Sequence, residues 1–220
     1  MANTPLSNIA ILDVGTTKLC CILAHVDDAG EIHVDGIGHH VAEGVKNGVV
    51  TDMGLAENAI RSVVQSAEDM AGRTIDDIII VTTAGDISSS IFSVEVAVSG
   101  HEVEAADIKR VLKLARKQMA DEPRTILHAL PACYSVDNAM GVRSPEGMFG
   151  ERLGVDFHMV TADPSPLQNL ATCVQRCHLN VTSLIAAPYA AGHAVLHDEE
   201  KELGVACVDM GGGSTSISLF

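Results

Sequence analysis

Ile11-Leu12-Asp13-Val14-Gly15-Thr16-Thr17-Lys18 near one end of the chain and Cys207-Val208-Asp209-Met210-Gly211-Gly212-Gly213-Ser214-Thr215 near the other are two copies of one pattern. In each, an apolar run ends in Asp-x-Gly, passes through small or hydroxylated residues, and enters a second apolar run. Such self-similarity is the mark of a duplicated fold. The residue types are those a phosphate requires. Small residues let the backbone come close enough for its N–H groups to point at phosphate oxygens. Thr and Ser hydroxyls add donors, and Lys18 adds a point charge. An aspartate repels phosphate directly but holds Mg²⁺ through water, because that ion keeps several of its waters. Asp13 and Asp209 are therefore the expected metal positions. One Gly-rich hairpin says little, since such hairpins are common structural features. Two matching ones point to a bound nucleotide. Asp13, Gly15, Thr16, Thr17 and Lys18 form one expected wall; Asp209, Gly211, Gly212, Gly213, Ser214 and Thr215 form the other.

The rest of the chain suits an α/β protein. Its 220 residues are 47% hydrophobic and 20% charged, with no Trp, two Tyr and four Phe. The core is thus expected from Ile, Val, Leu and Ala, as in a fold with buried strands. Twenty-nine acidic against fourteen basic residues leave a net charge of −15, which excludes nucleic acid as a bulk partner. Of the six cysteines, Cys20, Cys21, Cys133 and Cys207 lie in apolar stretches, as reduced and buried thiols do. Cys173, Cys177 and His178 have a spacing that suits a metal site, but no second ligand cluster is near in sequence and one helix face explains it. No signal peptide opens the chain, and no apolar run reaches the roughly 18 residues that span a bilayer. A cytoplasmic protein is expected.

Outward from the first turn, Ile9–Val14, Leu19–Val26 and Ile32–Gly38 read as an antiparallel meander. A Gly-containing loop runs from Glu43 to Thr51. Asp52 then caps a helix with Ala56, Ala59, Ile60, Val63, Val64, Ala67 and Met70 inward, ended by Gly72. Ile78–Thr83 reads as a buried strand. From Ala84 to about Val160 the texture changes to a strand-helix-strand-strand module: Phe92–Ser99, Glu104–Met119, Thr125–Val136 interrupted by Pro131, and Leu153–Val160. Its helix carries Lys109, Arg110, Lys113, Arg116 and Lys117 on the side away from its apolar residues. The parent fold resumes with a helix whose capping box is Ser165-Pro166-Leu167-Gln168. A strand Val181–Ile185, a helix Pro188–Leu196 and a strand Gly204–Met210 follow.

The paired turns resemble the two phosphate motifs of the superfamily of actin, sugar kinases and heat-shock chaperones. There, each lobe is a three-strand meander followed by helix, strand, helix, strand, helix; Ile9 to Leu196 follows that order once. The place of the insertion narrows the resemblance. Between His39 and Asp52 there is no room for the extra subdomain of actin and the chaperones, and residues 84–160 are inserted after Ile78–Thr83 instead. That arrangement resembles FtsA. So do Gly44-Val45-Lys46-Asn47-Gly48-Val49-Val50-Thr51-Asp52, Arg124-Thr125-Ile126-Leu127-His128-Ala129-Leu130-Pro131, and the run Glu202–Gly213.

This resemblance implies an actin-like (ribonuclease H-like) first lobe over 1-83 and 161-203, an inserted subdomain over 84-160, and the start of a second lobe over 204-220. It implies ATP and Mg²⁺ as cofactors. It also implies a protein that assembles at the division septum, peripheral on the inner face of the cell membrane, tethers the FtsZ ring and recruits later division proteins. The inserted subdomain is the expected surface for those proteins and for self-polymerisation. The chain is expected to be an N-terminal half. The remaining second-lobe sheet with its adenosine-contacting glycines, the FtsZ-binding subdomain and the C-terminal amphipathic membrane helix would lie beyond it, so these 220 residues alone should bind ATP poorly.

Two rivals share the superfamily. A sugar or acetate kinase would need an acceptor cleft and a phosphorylating Asp, for which no motif stands out. A pilus-assembly actin homologue shares the insertion and differs in its partners. Finally, superfamily members that hydrolyse ATP well place Glu or Gln just before a Pro-x-Ala-Ala run. Here the run is Pro188-Tyr189-Ala190-Ala191 and the preceding residue is Ala187. A methyl group cannot orient water, so at most weak ATPase activity is expected.

Overall fold

The computed structural model describes residues 7–220. In chain order its elements are β1 (Ser7–Val14), β2 (Lys18–Val26), β3 (Ile32–Val41), β4 (Val45–Lys46), β5 (Val49–Val50), α1 (Met53–Ala71) and β6 (Asp77–Thr82). Next come β7 (Ser88–Ala97), α2 (Ala105–Met119), β8 (Thr125–Val136), β9 (Ala139–Val142) and β10 (Arg152–Ala162). The chain continues through α3 (Pro164–Arg176), β11 (Asn180–Ala186), α4 (Ala187–Val195), α5 (Asp198–Leu203), β12 (Ala206–Met210) and β13 (Thr215–Leu219). These elements form two compact units, residues 7–86 with Asp163–Phe220, and Ile87–Ala162.

The first unit is built on a five-stranded sheet of order β11-β6-β1-β2-β3. β1, β2 and β3 are the antiparallel meander, while β6 lies parallel to β1 and β11 parallel to β6. Alternation along β1 buries Ala10, Leu12 and Val14, and β6 buries Ile78 and Ile80. α1 lays Ala56, Ala59, Ile60, Val63, Val64 and Ala67 on this sheet beside Leu170, Cys173 and Val174 of α3. Each fully buried Leu or Ile in this layer contributes about 1.5–3 kcal/mol relative to exposure. Asp52 caps α1 by accepting from the Leu55 N–H at 2.9 Å, and Gly72 closes it in the left-handed conformation. A β-carbon at Gly36 or Gly38 of β3 would stand 2.2 Å from the Ala67 carbonyl oxygen or 2.0 Å from that of Val63. The helix backbone therefore rests directly on these two glycines.

The second unit is an antiparallel sheet of order β7-β10-β8-β9 with α2 packed on one face. Val111, Ala115 and Met119 meet Val94, Leu153, Val155, Phe157 and Met159 there. Pro131 does not break β8. A register shift between Asp156 and Phe157 lets the strand pass it.

Several details differ from the sequence reading. Met70 is 65% exposed because it lies past the edge of the α1 stripe. α3 begins at Pro164 with Asp163 at its N-cap, so Ser165 falls inside the first turn and is no cap. β9 and α5 are additional elements, and the loop from Glu43 to Thr51 contains the β4–β5 hairpin. Cys20, Cys133 and Cys207 are only half-buried, whereas Cys173 is buried. Cys173 of α3 and Cys177 at its C-cap pack against α1, at Met53 Sδ (3.4 Å) and the Glu57 carbonyl (3.4 Å) respectively. The β12–β13 hairpin packs against α4, with Ser218 Oγ donating to the Pro188 carbonyl at 2.9 Å, and this contact leaves the expectation that it opens a second lobe unchanged.

Candidate functional site

The two repeated stretches fold into the same object. In the β1–β2 hairpin Asp13 pairs with Cys20 and Val14 with Leu19; in the β12–β13 hairpin Asp209 pairs with Ser216 and Met210 with Thr215. Both turns are closed by the same bond, Gly15 N–H to the Lys18 carbonyl at 3.1 Å and Gly211 N–H to the Ser214 carbonyl at 2.9 Å. The repeats are thus superposable without a gap, with Ser214 at the position of Lys18.

The hairpins lie tip to tip. A β-carbon on Gly212 would sit 2.3 Å from Thr17 Cγ2, and one on Gly213 would sit 2.7 Å from Thr16 Oγ1. Only glycine lets the second turn come this close to the first. At the two tips, the N–H groups of Thr16, Thr17, Gly212 and Gly213 donate to nothing among the described residues. The Lys18 ammonium likewise forms no ion pair among them. Unused amides at two adjoining tips, with a lysine closing one of the turns, are the donor set that an anion such as phosphate fits.

The two aspartates are near enough to act on each other. Burial raises the Asp13 carboxyl above the ordinary carboxylate range; the Lys18 ammonium opposes the rise and the Asp209 carboxylate adds to it. Two carboxylates close enough to feel each other are suited to a divalent cation. Among the described residues no group of three or more Asp, Glu, His or Cys side chains is placed to hold a metal ion by itself. A cation here would therefore be held by Asp13, Asp209, its own waters and the phosphate oxygens. Thr215 is not brought in. It is exposed on the hairpin face opposite Asp209, and Ser216 stands across from Asp209 instead.

Two segments outside the repeats also lie against the turns, the tip of the β4–β5 hairpin and Thr83. Asn47 and Gly48 form the tip of the β4–β5 hairpin, with φ of 52° and 74°. Asn47 Oδ1 would be 2.6 Å from a β-carbon on Gly213, and Thr83 Oγ1 2.7 Å from one on Gly48. Thr83, just after β6, also lies 3.5 Å from Ser214 Oγ. Asn-Gly between Val-Lys and Val-Val is a strong type I′ hairpin signal, written in neighbouring residues. Ala187 opens α4 directly after β11 and is half-buried.

In the second unit Arg110 is engaged by Asp107 (2.9 Å) and donates to the Ala97 carbonyl (2.5 Å), tying α2 to the end of β7. Lys109, Lys113, Arg116 and Lys117 are exposed and form no ion pair among the described residues. No helix among the described residues is long and apolar enough to cross a membrane.

Residues 84–161 match the family described as "SHS2 domain inserted in FTSA". A solved structure of a PilM–PilN type IV pilus biogenesis complex aligns over 98% of this chain and 58% of its own at a TM-score of 0.63, with 13% identity. With the sheet order above, these define an actin-like lobe interrupted by an SHS2 insert. Cell division protein FtsA of Rhizobium meliloti is 44% identical over 96% of this chain, and that of Agrobacterium fabrum 43% over 96%. The chain belongs to the FtsA family, and it spans about half the length of these relatives.

Proposed function

We propose that this chain supplies the phosphate-binding half of an ATP- and Mg²⁺-dependent cell-division protein. The observation that carries the reading is the pair of hairpin turns, identical in register, meeting tip to tip with unused amides between them. Thr16, Thr17, Gly212 and Gly213 would offer backbone N–H groups to the phosphates. Lys18 and Ser214 would add side-chain donors, and Asp13 and Asp209 would hold the hydrated cation. Bound Mg²⁺ would neutralise charge between neighbouring phosphates. Ala187 offers no group to orient an attacking water, so the bound triphosphate is long-lived and its presence governs assembly. At the level of the whole protein, the reading is a filament peripheral on the inner membrane face at the septum. It tethers the FtsZ ring, recruits later division proteins, and reaches the membrane through an amphipathic C-terminal helix. The exposed cations of α2 are the surface on the insert offered to an acidic segment of a division partner.

The test is a calorimetric titration of ATP into the full-length protein, with Mg²⁺ and again with a chelator. Binding that strengthens with Mg²⁺ is expected. No binding in either condition would refute the reading.

A further inference from the structure

The β4–β5 hairpin has no role in the two-turn site as the repeat alone describes it, yet its tip reaches into it. Gly44 anchors the base of this hairpin. Its carbonyl accepts from Thr51 N–H at 2.7 Å and Asp52 N–H at 3.1 Å, and Asp52 is the cap of α1. A β-carbon at Gly44 would stand 2.4 Å from the Asp52 carbonyl and 2.7 Å from the Ala56 nitrogen, so the hairpin is pressed onto the start of the helix. Its strands are two residues each, and both tip residues take positive φ. That is the conformation of a tight type I′ turn, whose fixed backbone sets the direction of the Cα–Cβ bond at its first residue. The Asn47 side chain is consequently delivered by a short, anchored strut to the place where Gly213 meets Thr16. It is exposed there, and its amide makes no hydrogen bond among the described residues. Nothing in the fold explains this. A solvated loop amide would not need to be held at the one point where both turns converge.

We propose that Asn47 is a third donor of the phosphate site: its side-chain N–H groups bind the phosphate seated between the Thr16–Thr17 and Gly212–Gly213 turns. The assignment rests on the nucleotide reading above and adds a ligand-contacting residue from a third, independent segment. It also gives Gly48 a purpose. Any β-carbon there would collide with Thr83 Oγ1 and push the tip, with Asn47, away from the turns.

The experiment uses the full-length protein and two substitutions. Because φ at Asn47 is 52°, Asn47→Gly removes the amide without straining the backbone, which alanine would do. Asn47→Asp keeps the shape and turns the donor into an anion. Affinity is measured for ATP and, as the comparison, for adenosine by ligand-observed NMR. A hydrogen bond to a charged group accounts for a factor of roughly 10 to 100 in binding. Asn47→Gly should weaken ATP by about that factor and Asn47→Asp by more, with adenosine unchanged. Equal weakening of ATP and adenosine would show a merely structural role and overturn the assignment. Unchanged ATP affinity in Asn47→Gly would overturn it too. Absence of ATP binding by the unmodified protein would instead refute the nucleotide reading on which the assignment stands.

Discussion

Gly212→Ala is the substitution whose effect follows most directly from the geometry. Gly212 does not carry a positive φ, so an alanine meets no backbone strain there and acts only through its β-carbon. That carbon would stand 2.3 Å from Thr17 Cγ2. Carbons rest at about 3.5–4.0 Å, so the turns must separate by roughly 1.2 Å or more. A displacement near 1 Å at a binding constellation costs on the order of 100-fold, or about 2.7 kcal/mol. Stability should change little, since both tips are exposed. The offending atom is one methyl, which makes the reasoning testable by rescue. Thr17→Ser deletes Cγ2, keeps the hydroxyl, and leaves only Oγ1 at 3.2 Å and Cβ at 3.4 Å from the new carbon. By calorimetry on the full-length protein, Gly212→Ala should weaken ATP about 100-fold, Thr17→Ser should change it little, and the double variant should recover most of the loss. If Gly212→Ala binds ATP within twofold of the parent, the two turns do not form one site. If the double variant is no better than Gly212→Ala, the contact is not the cause.

Asp13→Asn should raise the melting temperature of the nucleotide-free protein at neutral pH. A carboxyl whose pKa is raised on folding stabilises below its unfolded pKa and loses that contribution as pH rises through the folded value. The gain over the parent should shrink as pH falls into the carboxylate range, whereas a pH-independent gain, or none, would contradict the assigned burial cost. The same variant should lose the Mg²⁺ dependence of ATP binding, read by titration with and without the ion. Ala187→Glu should raise ATP turnover of the full-length protein, by up to about 100-fold if the water needs no other support; rapid turnover by the unmodified protein would contradict the long-lived complex. Reversing Lys113 and Lys117 to Glu should weaken partner capture in a salt-dependent way while leaving the melt unchanged, since exposed charges steer association more than they stabilise folds. Capture that is the same at every salt concentration would remove α2 as the docking face.

How far the sequence reached depended on what kind of physics each feature obeys. The Asp-x-Gly repeat, the capped α1 and the alternating strands are local: each is written in neighbouring residues and needs no knowledge of what packs above it. Gly36 and Gly38 look like interruptions of a strand, and only the approach of Val63 and Ala67 to within a backbone contact explains them. The start of α3 was misplaced because Ser165-Pro166 imitates a capping box, while Pro164 already supplies the fixed φ of a first helical turn. Thr215 was included by proximity in sequence, but strand alternation turns it to the wrong face and presents Ser216 instead. Asn47 lies between the two repeats and belongs to neither. Its Asn-Gly signal was local, yet its destination beside Gly213 is set by tertiary structure alone.

The claim at the centre of this account is that two distant turns receive one ligand together. Amide NMR spectra of the full-length protein, recorded while ATP and Mg²⁺ are added, read it directly. The resonances of Thr16, Thr17, Gly212 and Gly213 should all move, and with a single shared binding curve, because their N–H groups have no other partner among the described residues. Shifts confined to one turn, or two curves with different midpoints, would contradict it.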